Sequence, residues 1–116
     1  MAFNISGDSL IIRSSIYAIE ENSSYKNYII PKSPSFTGTY FIILPKSVNK
    51  DMMSYRVINN SSNTLILQSR GKENPQDLFN LFTINKKCMI TVEFQPDTQS
   101  FAIVGSKPLS DIMFLQ

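Results

Sequence analysis

Nine carboxylates, eleven cations, five tyrosines and one thiol are the groups in this 116-residue chain that could do chemistry, and there is no histidine to relay a proton among them. Serine-histidine and cysteine-histidine nucleophiles are thereby excluded, as are the common zinc sites that draw on His and several Cys. Gly7, Gly38, Gly71 and Gly105 stand singly, so no phosphate-cradling glycine loop can be assembled. Cys88 has no partner for a disulfide within the chain and no histidine as base, and reads as a small buried residue at a strand start.

Carboxylate pairs remain the one route to acid/base work. The stock is Asp8, Glu20, Glu21, Asp51, Glu73, Asp77, Glu93, Asp97 and Asp111, and only Glu20-Glu21 is a tight pair. Neighbours on a strand point to opposite faces, so that pair reads as a solvated loop, and Asp51 and Asp97 read as turn residues. The sequence therefore predicts a non-enzymatic protein with no cofactor and no metal. Tyr17, Tyr25, Tyr28, Tyr40 and Tyr55 read as packing residues that keep a wet hydroxyl, with a sugar platform as the alternative.

The partners that charge would select are also few. A net charge of +2, whose densest basic pair is Lys86-Lys87, gives no phosphate-tracking surface, so no nucleic acid is expected. The longest apolar runs, Leu10–Ile12 and Tyr40–Leu44, are far below spanning length, and Met1–Asp8 lacks the pattern of a signal peptide. Neither membrane insertion nor conventional secretion is expected, and the Asn-X-Ser matches at Asn4, Asn22, Asn59 and Asn60 are discounted on that ground.

The elements that must position these residues are strands. Short β-branched and aromatic runs recur between turn residues, and no long segment shows helical periodicity. Strands are predicted near Ser9–Arg13, Tyr25–Ile30, Thr39–Leu44, Ser54–Asn59, Thr64–Ser69, Leu81–Asn85, Cys88–Gln95 and Ser100–Gly105, with a short one at Ile16–Ile19. Asn59–Asn63 and Gln95–Thr98 read as hairpin loops and Asn85–Lys87 as a tight connection, which makes the last three strands a meander. Asn74-Pro75-Gln76-Asp77 reads as a helix start. The expected fold is all-β: a compact antiparallel sandwich or barrel-like domain of about seven to nine short strands, with at most one helical turn near 74–80.

In Met89–Phe94 apolar and polar residues alternate, as in a strand with one wet face. Tyr40–Leu44 and Phe101–Val104 are apolar on both faces instead. Phe41, Ile43, Phe101 and Ile103 are accordingly the candidate residues of an oligomer interface.

The order Gly38-Thr-Tyr-Phe-Ile-Ile-Leu-Pro45, Tyr55-Arg-Val-Ile-Asn-Asn-Ser61, Thr64-Leu-Ile-Leu-Gln68, Met89-Ile-Thr-Val-Glu-Phe94 and Ser100-Phe-Ala-Ile-Val-Gly105 resembles the small β modules of viral and phage fibres and spikes. It departs from them at Met52-Met53, where a glycine is often found, and over Gly71–Asn80. Length and the lack of a linker-like stretch give a single domain, in which the resemblance covers a core module over 38–106; residues 1–37 lie outside it and are taken as an assembly or anchoring segment, and 107–116 as a tail. The resemblance implies a homotrimer on a virion surface, made in the cytoplasm of the producing cell, that attaches to a host or stabilises a capsid. Other virion proteins and a host-surface glycan or receptor would be its partners. The alternative is a monomeric carbohydrate- or ligand-binding β module.

Overall fold

Alternation along each strand decides which side chains meet. In Cys88–Gln95 the residues Cys88, Ile90 and Val92 are buried while Glu93 is exposed, and the same inward rhythm recurs at Tyr40, Ile42 and Leu44 and at Leu65 and Leu67. The computed structural model describes residues 2–4, 8–32, 37–48, 53–109 and 113–115. Asp51, the Met52-Met53 pair at its first residue, Gly7 and much of the tail lie outside them.

The described residues form β1 (Ala2–Asn4), β2 (Ser9–Ile11), β3 (Ile16–Ala18), β4 (Asn27–Ile30), β5 (Tyr40–Ile43), β6 (Ser54–Asn59), β7 (Leu65–Arg70), β8 (Leu78–Ile84), β9 (Cys88–Gln95), β10 (Ser100–Pro108) and β11 (Met113–Leu115), with no α-helix among them. β10-β9-β6-β4-β2 make a five-stranded sheet and β3-β5-β7-β8 a four-stranded one, while β1 pairs with β11 alone. One core joins the two larger sheets, with Tyr28, Ile30, Tyr55, Val57, Ile90 and Val92 from the first meeting Tyr40, Ile42, Leu65, Leu67 and Ile84 from the second.

The all-β class is as the sequence predicts, but the sheets are mixed, not antiparallel throughout. From β2 to β7 the chain alternates between sheets, so each strand pairs in parallel with the strand two places on. Ser9, Asn27 and Arg56 stand in one row and Ile16, Phe41 and Ile66 in another. Three rungs, β2–β3, β4–β5 and β6–β7, thus coil upward, and each crossover that parallel pairing requires is a strand of the facing sheet. Antiparallel strands close the third rung, β8 against β7 and β9 against β6, with β10 against β9.

Several connections differ from expectation for one reason: turn chemistry specifies a corner without saying which sheet follows. Asn59 is fully buried, its Oδ1 accepts from Ser61 N–H at 3.1 Å and Ser61 Oγ–H at 2.7 Å, and its Nδ2–H donates to Asn63 O at 2.8 Å. That self-contained turn carries the chain from one sheet to the other and is no hairpin. Asn85–Lys87 likewise crosses between sheets, so β8, β9 and β10 are not a meander. The Gln95–Thr98 hairpin is present, joining β9 to β10. At Asn74 the capping chemistry forms, with Gln76 N–H bonded to Oδ1 at 3.1 Å and Asp77 N–H to the main-chain O at 3.0 Å. No helical turn follows, because Leu78 immediately enters the ladder with β7.

The segment before Gly38 supplies β2, β3 and β4 to both main sheets. β10 continues past Gly105 to Pro108, which an edge strand tolerates.

Candidate interaction surface

Parity places the four interface candidates on two different faces. On β5, Tyr40, Ile42 and Leu44 point into the core, so Phe41 and Ile43 project from the outside of the four-stranded sheet. Phe41 is half-buried and Ile43 is buried. Phe101 instead lies within the core, 6.0 Å from the Tyr55 ring and 5.4 Å from that of Phe94, and Ile103 packs against the same cluster. The structure does not bring the four together: Phe101 is buried in the chain's own core, and Ile103 is partly buried against it. A register shift between Ile103 and Gly105 accompanies the exposure of Val104, which the two-faced pattern had not distinguished from its neighbours.

On the outside of the four-stranded sheet an apolar row runs from Ile16 on β3 through Phe41 on β5 to Ile66 on β7. Ile16 is 60% exposed, and Phe41 and Ile66 are half-buried. The five-stranded sheet treats its equivalent row differently. Ile11, Ile29, Ile58 and Met89 stand in register there, and Ile29 and Ile58 are fully buried with Leu109 packed over them.

Beside the apolar row the sheet edge is open. Phe41 N–H donates to Ser15 O at 2.8 Å and Ile19 N–H to Ile43 O at 2.9 Å. Those bonds set the phase of the parallel ladder, so the main-chain groups of Ile16 and Ala18 face away from β5. β2 is phased likewise by Ile12 N–H to Ile29 O at 2.8 Å and Asn27 N–H to Asp8 O at 3.2 Å. Both edges of the first rung therefore lack a pairing strand among the described residues, whereas antiparallel strands close the third.

Nothing reactive accompanies this surface. Cys88 is buried, and burial pushes its thiol up against the smaller opposing effect of Lys86, which favours the unreactive protonated form. No group of three or more His, Cys, Asp or Glu converges among the described residues, and no helix there is long and apolar enough to cross a membrane. Tyr28, Tyr40 and Tyr55 are buried in the core, while Tyr17 and Tyr25 are half-buried beside Tyr28 at ring separations of 5.9 and 6.4 Å. Burial pushes the Tyr28 hydroxyl up to about 12 and raises that of Tyr17, with the Glu20 charge adding to the latter.

Sequence reasoning missed Ile16 and Ile66 as companions of Phe41. The alternation was visible, but only the register sets the three side by side. It also missed Phe79, 57% exposed on β8, because the capping signature at Asn74 pointed to a helical turn there.

Comparison with protein-family models, curated proteins and solved structures finds no match to this chain. The likeness to viral fibre modules rests on the pattern of strands and turns alone.

Proposed function

We propose that this chain is a non-catalytic structural module that works by associating with copies of itself, in the virion-surface setting its strand and turn pattern implies. The observation that supports the reading is the apolar row Ile16–Phe41–Ile66, uncovered on the outside of one sheet and flanked by the open β3 edge. Burying a large apolar side chain from full exposure contributes about 1.5–3 kcal/mol, so Ile16, with smaller shares from the half-buried Phe41 and Ile66, offsets part of the ordering cost of a small interface when the patch is contiguous. Here it is contiguous, since the three residues occupy adjacent strands in register. A homotrimer, in fibre, spike or capsid decoration, is the assembly this reading carries, and attachment or capsid stabilisation is its role.

Light scattering behind size exclusion tests it. Wild type is expected at a multiple of 13.2 kDa, and Ile16→Lys, at an exposed position, at the monomer mass with unchanged circular dichroism. A monomeric wild type, or an Ile16→Lys protein that keeps the wild-type mass, overturns the reading.

A further inference from the structure

The most exposed aromatic side chain among the described residues and three cations meet in one cleft away from the apolar row. The cleft encloses about 250 Å³ and draws its walls from three stretches of chain: Pro45 and Lys46 after β5, Ser69–Lys72 where β7 ends, and Gln99–Phe101 where β10 begins, with Phe79 of β8 alongside. Three of the chain's eleven cations, Lys46, Arg70 and Lys72, line it, and no carboxylate does. Arg70 is held by one N–H to Pro75 O at 2.9 Å, which leaves the rest of its planar donor set for another partner. No carboxylate among the described residues pairs with Lys46 or Lys72. Acids stand around the cleft without lining it: Glu73 and Asp77 are exposed on the same β7–β8 connection, with the Asp77 carboxylate turned to Asn74 Nδ2, 3.4 Å away, and Glu21 shares an adjoining cavity with Lys46 and Gln99.

Phe79 is 57% exposed, with one edge of its ring against the Gly71 backbone. A Cβ on Gly71 would stand 3.3 Å from its Cε2, so the ring lies against a backbone that only glycine leaves bare. Water thus reaches an aromatic face, an arrangement that suits stacking against a ring with apolar C–H faces. On the opposite wall Gln99 adopts φ 53°, a left-handed conformation that glycine or asparagine takes more cheaply. Gln99 is the last loop residue of the β9–β10 hairpin, a place where such turns commonly use that conformation. Two features therefore converge: three cations with no carboxylate partner among the described residues, and an exposed aromatic ring. The volume lies below the roughly 300–1,000 Å³ typical of a drug-sized site, which limits occupancy to about one sugar unit.

We propose that this cleft binds an acidic saccharide, one that carries carboxylate or sulfate. A sugar ring stacks on Phe79, its anionic group meets Lys46, Arg70 and Lys72, and Gln99 and Ser100 hydrogen-bond its hydroxyls. The cations supply attraction that salt screens, and the ring supplies preference for a saccharide over a bare anion.

Isothermal titration of the full chain tests this with four probes: a heparin tetrasaccharide, a hyaluronan tetrasaccharide, neutral chitotetraose and inorganic sulfate. At least one acidic tetrasaccharide is expected to bind about tenfold or more tightly than chitotetraose and sulfate, and to weaken as salt is raised. The two acidic probes separate sulfate from carboxylate as the preferred group. Lys72→Glu is expected to cost about tenfold or more, whereas Lys107→Glu, the same charge change on the exposed far end of β10, costs little. Phe79→Ala is expected to weaken the saccharide by about tenfold and leave sulfate unchanged. Equal binding of chitotetraose, no binding of either acidic probe, or an equal loss from Lys107→Glu and Lys72→Glu overturns the proposal. None of these readouts depends on the oligomeric mass, so this site stands or falls separately from self-association.

Discussion

Two tyrosines on neighbouring strands of one sheet show how the same residue type is stabilised or left in deficit by a single hydrogen bond. Tyr28 and Tyr55 are both buried, with ring centroids 5.7 Å apart in an edge-to-face arrangement. The Tyr28 hydroxyl is hydrogen-bonded to Ser23 Oγ, whereas the Tyr55 hydroxyl is buried with no partner among the described residues. Removing a satisfied hydroxyl costs about 0.5–1.5 kcal/mol, and removing an unsatisfied buried one recovers its desolvation penalty. Tyr28→Phe is therefore expected to lower stability by about 1 kcal/mol and also to free the Glu20–Ser23 turn. Tyr55→Phe is expected to be neutral or stabilising. Urea unfolding of both proteins decides the matter, and a Tyr55→Phe loss equal to that of Tyr28→Phe would show that the Tyr55 hydroxyl has a partner.

At the scale of elements, the β7–β8 connection is where local chemistry and site geometry are most tightly coupled. Gly71 N–H donates to Asp77 O at 2.9 Å, and a Cβ there would stand 2.7 Å from Asn74 O, a backbone atom that cannot swing aside. Gly71→Ala is expected to destabilise the protein by about 1–3 kcal/mol, as an overpacked site does, and to displace Phe79. Thermal unfolding measures the first effect and the aromatic shifts of Phe79 in an NMR spectrum the second. An alanine variant with wild-type stability and unchanged Phe79 shifts would mean that the connection is looser than its contacts indicate.

Much of the strand inventory was legible in the sequence. β6 and β9 span Ser54–Asn59 and Cys88–Gln95 as expected; in β9 burial on one face leaves a period of two, whereas β6 is bounded by its β-branched and aromatic run and is buried on both faces at Val57 and Ile58. Pairing was not legible. Alternation says which face a residue takes and nothing about its neighbour, and Asn59 makes the same self-contained turn whether a hairpin or a change of sheet follows. Phe41 could be recognised as facing outward from an apolar strand, but its companions Ile16 and Ile66 lie 25 residues away on each side and only the register joins them. The cleft was hidden further, since Lys46 follows β5, Arg70 and Lys72 stand at the end of β7 and Phe79 lies on β8, with no common motif.

For the molecule as a whole, the asymmetry between the two ends of the rung stack sets how it opens. In a coiled stack each rung is stabilised by its neighbours, and a terminal rung has only one. The third rung is closed by β8 and β9, whereas β2 and β3 each hydrogen-bond to one strand and are only three residues long. The first rung should then open locally at a lower free energy than the core, as hydrogen exchange detects. The Ile12 and Ile19 amides, bonded to Ile29 O and Ile43 O, are expected to exchange well before the amides that hold β4 to β6 and β5 to β7. The outward amides of Ile16 and Ala18 are expected to exchange fastest in the monomeric Ile16→Lys background, at position 18 and its substituted neighbour. On the proposed self-association through the apolar row and this edge, both positions are expected to slow in wild type. Uniform protection of Ile12 and Ile19 with the central strands would instead mean that the three rungs unfold as one unit and that the open end carries no instability for a second copy to relieve.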